Sequence, residues 1–440
     1  MTRARLDGLY LVLIGSVVFA LLGPVLQSAS HVPLTDFRAL YYPARTLLQD
    51  HDPYQTDEVQ RLFQAEGGNS PEDTAETRQI ATQAVYPPTS LAFAAPVAML
   101  PWGLAHWLWT ALTIGSLIFA SLLIWNLGAD YAPVLSGVLI GFLLANSEIL
   151  IVTGNSAGIA ISLCAVAVWC FMRVRYIAVG ILCLAVSLAI KPHDAGLVWF
   201  YFLLAGGVFR KHALQTFAVT LAISLSAMVW VWLVAPHWMQ ELHFNLLAFS
   251  AHGGTNDPGV AAMGPKGVID LQSVLSGFRN DPRFYNPLSY LICAPPLLLW
   301  GWVTLRSRSS QARSWLALAV ISPLSLLPVY HRQYDAKLLL LMVPACALLW
   351  AGGGRLARLA LLASTTVFVV TGDLFWIIVM ALLRNLHQPA TGVFEKTLLF
   401  LLAHSVPLLL LLVSVFYLWV YARSARQPVS LQDAGTVVSG

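Results

Sequence analysis

Long apolar runs recur along the whole chain and constrain its fold more than any other feature. A helix that crosses a membrane needs about 20 predominantly apolar residues. Hydrophobic residues make up 58% of this sequence and charged residues only 10%, whereas soluble domains carry about 25% charged residues. The sequence therefore predicts an all-α polytopic membrane protein. The runs that could cross are 9–27, 104–126, 133–151, 156–172, 176–190, 194–209, 213–235, 288–305, 315–330, 337–351, 359–382 and 398–421.

Basic residues on the short loops predict the orientation of these runs. The segment 88–100 is left out of the count because it has only 13 residues and contains Pro96, which is typical of an interfacial or re-entrant piece. With the N-terminus inside, the inner side then receives 13 Lys and Arg residues against two acids before the tail. Counting 88–100 as a crossing would move most of these basic residues outside. The positive-inside rule therefore predicts twelve crossings, with both termini inside and 88–100 at the outer face.

This topology predicts one integral membrane domain at 1–421 and a cytoplasmic tail at 422–440. The first apolar run is longer than the core of a signal peptide, so we interpret it as an uncleaved span. The stretch 251–259, rich in Gly, Asn and Pro, predicts a mobile loop. The parts of the domain are a seven-helix module at 1–235 that contains the outer loop 28–103, a second outer loop at 236–287, and five C-terminal helices at 288–421.

Several classes of function find no support in the sequence. The five cysteines lie in apolar runs and none forms a CxxC pair, so neither a disulfide framework nor a zinc site is indicated. The net charge of +4 is spread over many loops and gives no indication of nucleic-acid binding. The sequence contains no Gly-rich nucleotide loop and no long-period repeat, and we predict no cofactor.

Asp36 is the first candidate for chemistry. It follows the first apolar run after a few residues, and the segment 35–54 that contains it continues with Tyr41 and Tyr42. The segment ends in the turn 51–54, where Pro53 disfavours helix at the residue before it. A carboxylate between a membrane helix and an aromatic turn is well placed to act at the lipid surface. The alternative interpretation is that Asp36 caps the following helix.

Other polar residues gather at the outer ends of the predicted spans. Asn155 lies in a tight turn, and Lys191 at another turn either binds phosphate or extends along the lipid surface. The stretch 330–337 contains His331, Arg332 and Lys337, and predicts either an anion site or a solvated loop. A base combined with cations suits transfer from a lipid phosphate donor, because the base activates an acceptor hydroxyl while the cations stabilise the leaving phosphate.

A series of short motifs between residues 36 and 344 resembles glycosyltransferase family 87. These are integral-membrane mannosyltransferases of the GT-C superfamily that use polyprenyl-phosphate-mannose. The motifs are Asp36-Phe37 with Tyr41-Tyr42 and Ala44, Asp52-Pro53-Tyr54, Tyr86-Pro87-Pro88, Ala95-Pro96, Leu100-Pro101, Gly154-Asn155, Lys191-Pro192, Ser322-Pro323, and the His331 loop ahead of 341–344.

The resemblance implies a GT-C fold in the cell membrane, with the active site on the extracytoplasmic side and no metal. It implies inverting transfer of a sugar, expected to be mannose, from a polyprenyl-phosphate donor to a hydroxyl of a lipid-linked or glycan acceptor. The catalytic base then falls on Asp36. For the donor phosphate we expect Lys191, His331, Arg332 and Lys337, and for other substrate contacts Tyr41, Tyr42, Tyr54, Asn155, His193 and Asp194.

Two alternatives remain at this point. A transporter or lipid flippase should show inverted repeats and broken helices, and the sequence shows no repeat. A non-catalytic membrane assembly protein would keep its function when Asp36 is replaced by Asn.

Overall fold

The computed structural model describes residues 2–30, 33–66, 75–251, 254–259, 267–307, 310–385, 397, 400–401 and 404–425. In this part of the chain the structure is helical, and the only strand-like pairing is one bridge between Val268 and Arg332. The all-α class predicted from the apolar runs is therefore confirmed.

The helices alternate between long apolar segments and short connecting pieces. Those of the first half are α1 (Arg3–Ala29), α2 (Thr35–Leu48), α3 (Thr56–Ala65), α4 (Ala75–Thr82), α5 (Pro88–Ala98), α6 (Trp102–Gly128), α7 (Pro133–Leu144), α8 (Ile149–Thr153), α9 (Ala157–Arg173), α10 (Ile177–Ile190), α11 (Pro192–Ala205) and α12 (Gly207–Val234). Those of the second half are α13 (Trp238–Ser250), α14 (Leu271–Ser276), α15 (Pro282–Arg306), α16 (Gln311–Leu324), a 3-10 helix (Gln333–Met342), α17 (Val343–Gly352), α18 (Gly354–Val370), α19 (Asp373–Asn385) and α20 (Ser405–Ala425).

Among the described residues, seven helices are long and apolar enough to cross a membrane, or eight if one bent pair forms a single span. Large apolar side chains lie exposed along them, for example Leu21 at 66%, Leu233 at 71% and Leu298 at 72%. Such surfaces are unfavourable in water but stable against lipid chains. The fold is therefore consistent with a polytopic membrane protein.

Four of the predicted crossings correspond to shorter helices. α9 has 17 residues, and α10, α11 and α16 have 14 each. A helix of 14 residues extends only about 21 Å, less than the thickness of a hydrocarbon core. The run 359–382, predicted as one span, is instead broken into α18 and α19 with a bend of 60°.

The two large outer loops predicted from the sequence contain helices that pack on each other. The amide nitrogen of Asn245 in α13 donates hydrogen bonds to the carbonyls of Tyr54 and Ala84, at 3.1 and 3.0 Å. Part of the predicted mobile loop, residues 252–253, lies outside the described residues. In its described part, the backbone N–H of Asn256 donates to the carbonyl of Phe249 at 2.9 Å.

One end of the helix bundle collects basic residues. Arg5 and Arg173 both pair with Asp130, at 2.6 and 2.7 Å, which joins the start of α1, the α6–α7 turn and the end of α9. At the same end Arg313 donates to the carbonyl of Ser424 at 3.2 Å. We call this the basic end. The polar groups described next lie at the opposite ends of α9 and α10.

Candidate functional site

The start of α2 fixes the position of Asp36. The ring of Phe37, the next residue, stacks on Trp109 of α6 with centroids 4.5 Å apart, and Phe37 is fully buried. Leu34 adopts a left-handed backbone, with φ of 58°, and its N–H donates to the carbonyl of Val152 at 2.7 Å. Because Leu34 holds the capping position and Asp36 lies one residue inside the helix, the sequence alternative of a capping Asp36 is not what the structure shows. Asp36 itself is half-buried.

Asn155 connects Asp36 to the start of α9. Its Nδ2 donates to Oδ2 of Asp36 at 2.8 Å, and its Oδ1 accepts from the N–H of Ala157 at 2.9 Å. These two contacts fix which side of the amide faces the carboxylate. Gly154 makes the approach possible, because it has φ of +66° and a Cβ there would lie 2.5 Å from Leu34.

Lys191 is a buried cation at the turn between α10 and α11. Its Nζ donates to Oδ1 of Asp335 and, at 3.3 Å, to Oδ1 of Asn155, and it lies 3.6 Å from Oδ2 of Asp194 in an ion pair. Burial alone would lower the pKa of Lys191, but the carboxylates of Asp194 and Asp335 outweigh it and raise this pKa. Lys191 is therefore charged at neutral pH.

Arg332 lies beside this cluster. Its backbone N–H donates to Oδ2 of Asp335 at 2.9 Å, and its guanidinium donates to the carbonyl of Thr255 at 3.0 Å and to the hydroxyl of Tyr330. Burial lowers the pKa of Arg332, but Tyr330 and the negative charge of Asp36 more than compensate. Arg332 therefore contributes a second permanent positive charge near Asp36.

Tyr86 completes the surroundings of Asp36. Burial raises the pKa of its hydroxyl well above the ordinary value, and the charge of Asp36 raises it further. Tyr86 belongs to a motif that carried the family resemblance, although the sequence alone did not assign it to the site. The sequence also did not assign Asp335, whose only signal was its place in the polar stretch 330–337.

His331, Asp194 and His193 form the third part of the site. Nε2 of His331 lies 3.5 Å from Oδ1 of Asp194, and Nε2 of His193 lies 4.0 Å from the same oxygen. His331 and Asp194 are fully buried, whereas His193 is partly exposed. The structure thus brings together the predicted residues Asp36, Asn155, Lys191, His193, Asp194, His331 and Arg332.

Lys337 is a correction to the predicted set. Its Nζ donates to the backbone carbonyl of Asn146 at 2.8 Å, away from Lys191 and Asp36. Residues two apart in a 3-10 helix point to different sides, so Asp335 reaches the site and Lys337 does not. The neighbouring cavity of about 500 Å³ is lined by Glu148, Gln333, Asp373 and apolar residues such as Trp376.

The predicted substrate contacts of Tyr41, Tyr42 and Tyr54 are also corrected. All three side chains are buried in one apolar cluster, in which the ring of Tyr54 lies beside Trp238 of α13 with centroids 6.1 Å apart. The hydroxyl of Tyr41 donates to the carbonyl of Leu100 and that of Tyr54 to the carbonyl of Tyr86, both at 2.9 Å. The ring of Tyr42 packs on Phe63 with centroids 4.9 Å apart. These buried rings therefore stabilise the packing around α2, the helix that carries Asp36, and do not face the site.

Comparisons of this chain with protein-family models, with curated proteins and with solved structures give no match. The site is therefore interpreted from its own geometry.

Proposed function

We propose that this chain is an integral-membrane glycosyltransferase that moves a sugar, mannose, from a polyprenyl-phosphate donor to an acceptor hydroxyl. The observation that carries the proposal is the hydrogen-bonded series Asp36–Asn155–Lys191. It connects a half-buried carboxylate to a buried ammonium through one amide. Transfer from a phosphate donor requires a base and an anion-binding cation that are held at a fixed distance from each other.

Each residue has a distinct task in this reaction. Asp36 accepts the proton of the acceptor hydroxyl, and the hydroxyl oxygen forms a bond to the anomeric carbon of the donor. The bond from that carbon to the phosphate oxygen breaks on the opposite face, so the configuration inverts. The ammonium of Lys191 and the guanidinium of Arg332 stabilise the charge that develops on the leaving polyprenyl phosphate.

Asn155 acts as a positioning residue. Its Nδ2–H holds one oxygen of Asp36, which leaves the other oxygen for the acceptor hydroxyl. Its Oδ1 accepts from both Lys191 and the N–H of Ala157, so the start of α9 fixes the geometry between base and cation. Such pre-organisation is worth more than the hydrogen bonds alone, because the groups need no rearrangement as the reaction proceeds.

The membrane arrangement is part of the proposal. Twelve crossings of GT-C type would place the basic end on the cytoplasmic side, in agreement with the positive-inside rule. The site then lies at the extracytoplasmic surface of the cell membrane. There the donor phosphate can lie at headgroup level while the polyprenyl chain stays among the lipids.

The experiment is sugar transfer by the purified, reconstituted protein. It is given polyprenyl-phosphate-[¹⁴C]mannose and an extract of membrane lipids and glycans, and labelled products are separated by chromatography. Transfer to a new acceptor supports the proposal when the Asp36→Asn variant, prepared in parallel, is slower by about a hundredfold or more. Absence of transfer across donors with different sugars, in a protein that is folded and binds donor, would contradict it.

One observation favours a second candidate, a lipid transporter. α18 and α19 are broken at a 60° bend, and Asp373 at this break accepts from Gln333 at 2.8 Å and from the N–H of Ile149 at 2.7 Å. Broken helices with polar groups at the break are typical of transporters. Movement of a labelled lipid across proteoliposomes that is unaffected by Asp36→Asn would favour this candidate.

A further inference from the structure

The group His193, Asp194 and His331 has the composition and spacing of a metal site. One ligand atom from each of the three lies within 4.8 Å of the other two. In a tetrahedral zinc site with bonds of 2.0–2.2 Å, neighbouring ligand atoms lie roughly 3.4 Å apart. The 3.5 Å between Nε2 of His331 and Oδ1 of Asp194 already matches this separation.

The orientation of His331 is the one that a metal ligand requires. Its Nδ1 lies 2.9 Å from the carbonyl oxygen of Val329, and a carbonyl only accepts, so Nδ1 carries the hydrogen. In the neutral ring the lone pair is then on Nε2, which faces Asp194. Histidines that bind metals commonly donate their other N–H to a carbonyl in this way, which fixes both the tautomer and the ring.

Unused polar atoms point to a missing partner. Within the described part of the chain, Nε2 of His331 and both carboxylate oxygens of Asp194 are buried and make no hydrogen bond. Their nearest polar partners are at ion-pair distance, with Nε2 3.5 Å from Oδ1 and Nζ of Lys191 3.6 Å from Oδ2. Buried polar atoms are nearly always paired, because leaving them without a partner is costly. A cation bound to Nε2 and Oδ1 would satisfy the ring and the carboxylate together.

The charges of the buried groups also favour a further cation. Asp194 and Asp335 are fully buried, and Lys191 is a buried cation beside both. Lys191 donates to Asp335, while its Nζ lies 3.6 Å from Oδ2 of Asp194 without a hydrogen bond. Asp194 thus keeps Oδ1, the oxygen on the side of the two histidines, for another positive charge.

We propose that His193, Asp194 and His331 bind a divalent transition-metal ion, with zinc as the preferred one. Two imidazoles and one carboxylate are a donor set that suits zinc, and three protein ligands leave a position open for water or an anion. The site itself does not depend on the proposed glycosyl transfer. If that function is also correct, an oxygen of the donor phosphate would fill the open position. The proposal departs from the metal-free activity that the family resemblance implies.

The test measures bound zinc and requires no activity. The full-length protein is purified in detergent with a tag that contains no histidine, stripped with a chelator, incubated with ZnCl₂ and desalted. Metal content is then determined by mass spectrometry. His193→Ala is the main variant, because its partly exposed side chain can be removed without leaving a buried cavity. His51→Ala is the matched control, since His51 is an exposed histidine outside the cluster.

We expect one zinc ion per chain in the wild type and in His51→Ala, and loss of that ion in His193→Ala. A cobalt-loaded wild type should show the visible absorption of a four-coordinate ion, and His193→Ala should not. Absence of bound zinc in the wild type, or equal zinc in the wild type and His193→Ala, would overturn the proposal. His331 and Asp194 would then form a simple ion pair. Neither result depends on glycosyl transfer, so failure of one proposal can be separated from failure of the other.

Discussion

Nδ2 of Asn155 donates a 2.8 Å hydrogen bond to Oδ2 of Asp36. The two residues are far apart in the sequence, and they meet because Gly154 allows the turn before α9 to contact the start of α2. The same amide accepts from Lys191 through its oxygen. Base, positioning amide and cation therefore form one unit, and a change in any of them should affect the others.

Replacement of Asn155 by Ala should reduce turnover while the fold persists. The variant loses a hydrogen bond to a charged group, which is usually worth about 1.5–3 kcal/mol. If the transition state loses this full stabilisation, kcat falls roughly ten- to hundredfold. Asn126→Ala is the control, because Asn126 has a similar structural role at the basic end, where it accepts from Arg173. Equal turnover in wild type and Asn155→Ala would show that the amide does not position Asp36.

Replacement of Lys191 by Met should destabilise the protein. Removing one partner of a buried ion pair leaves an uncompensated charge and typically costs about 3–5 kcal/mol. Thermal unfolding in detergent measures the effect, with Lys211→Met as control, because Lys211 is exposed at the start of α12. Lys191→Met combined with Asp335→Asn should recover part of the loss, since it also removes the unpaired carboxylate. An unfolding temperature of Lys191→Met equal to that of the wild type would argue against the buried pair.

Glu241 should make the stability of the folded protein depend on pH. Burial and the nearby carboxyl of Asp52 raise the pKa of Glu241, so the folded protein holds this proton more tightly than the unfolded chain. The stability contributed by this group is therefore full below the ordinary Glu pKa and is lost as the pH rises through the raised pKa. Glu241→Gln should remove that part of the dependence when unfolding is measured between about pH 4 and pH 8. Identical pH profiles for wild type and variant would contradict this.

Labelling of single cysteines should reveal the orientation in the membrane. Arg61 in α3 is highly exposed and lies in the first predicted outer loop, whereas Arg175 lies at the basic end. An impermeant maleimide added to intact cells should modify Arg61→Cys and leave Arg175→Cys unmodified until the cells are permeabilised. Modification of position 175 from outside would invalidate the predicted topology.

Part of the site could be predicted from the sequence for a physical reason. Polar residues are costly at membrane depth, so Asp36, Asn155 and Lys191 stand out at the ends of apolar runs, and the predicted alternation of the runs places them at one end. The all-α class follows from the same runs. The pairing of Lys191 with Asp335 could not be predicted from the sequence. It depends on how the 3-10 helix packs against α9, and such a tertiary contact leaves no local signal in the sequence.

The errors have equally specific causes. The sequence predicts Tyr41 and Tyr42 as substrate contacts because aromatic residues near a membrane surface serve both binding and packing, and only burial distinguishes the two. The break between α18 and α19 lies at Thr371–Gly372, directly before Asp373. The apolar residues on both sides outweigh these three in an average over the run 359–382, so the sequence predicts one span there. Lys337 shares the stretch 330–337 with His331 and Arg332, which predicts a common site, whereas helix geometry directs its Nζ to the carbonyl of Asn146.

The most direct test of the account is the turnover of Asp36→Asn. Asn keeps the shape of the side chain but cannot accept the proton of the acceptor hydroxyl, and a positioned general base typically contributes about 10²–10⁴-fold to the rate. We expect the variant to insert, to unfold at the wild-type temperature and to bind polyprenyl-phosphate-mannose, but to transfer mannose at least about a hundred times more slowly. Near-wild-type transfer by well-folded Asp36→Asn would contradict the assignment of Asp36 as the base.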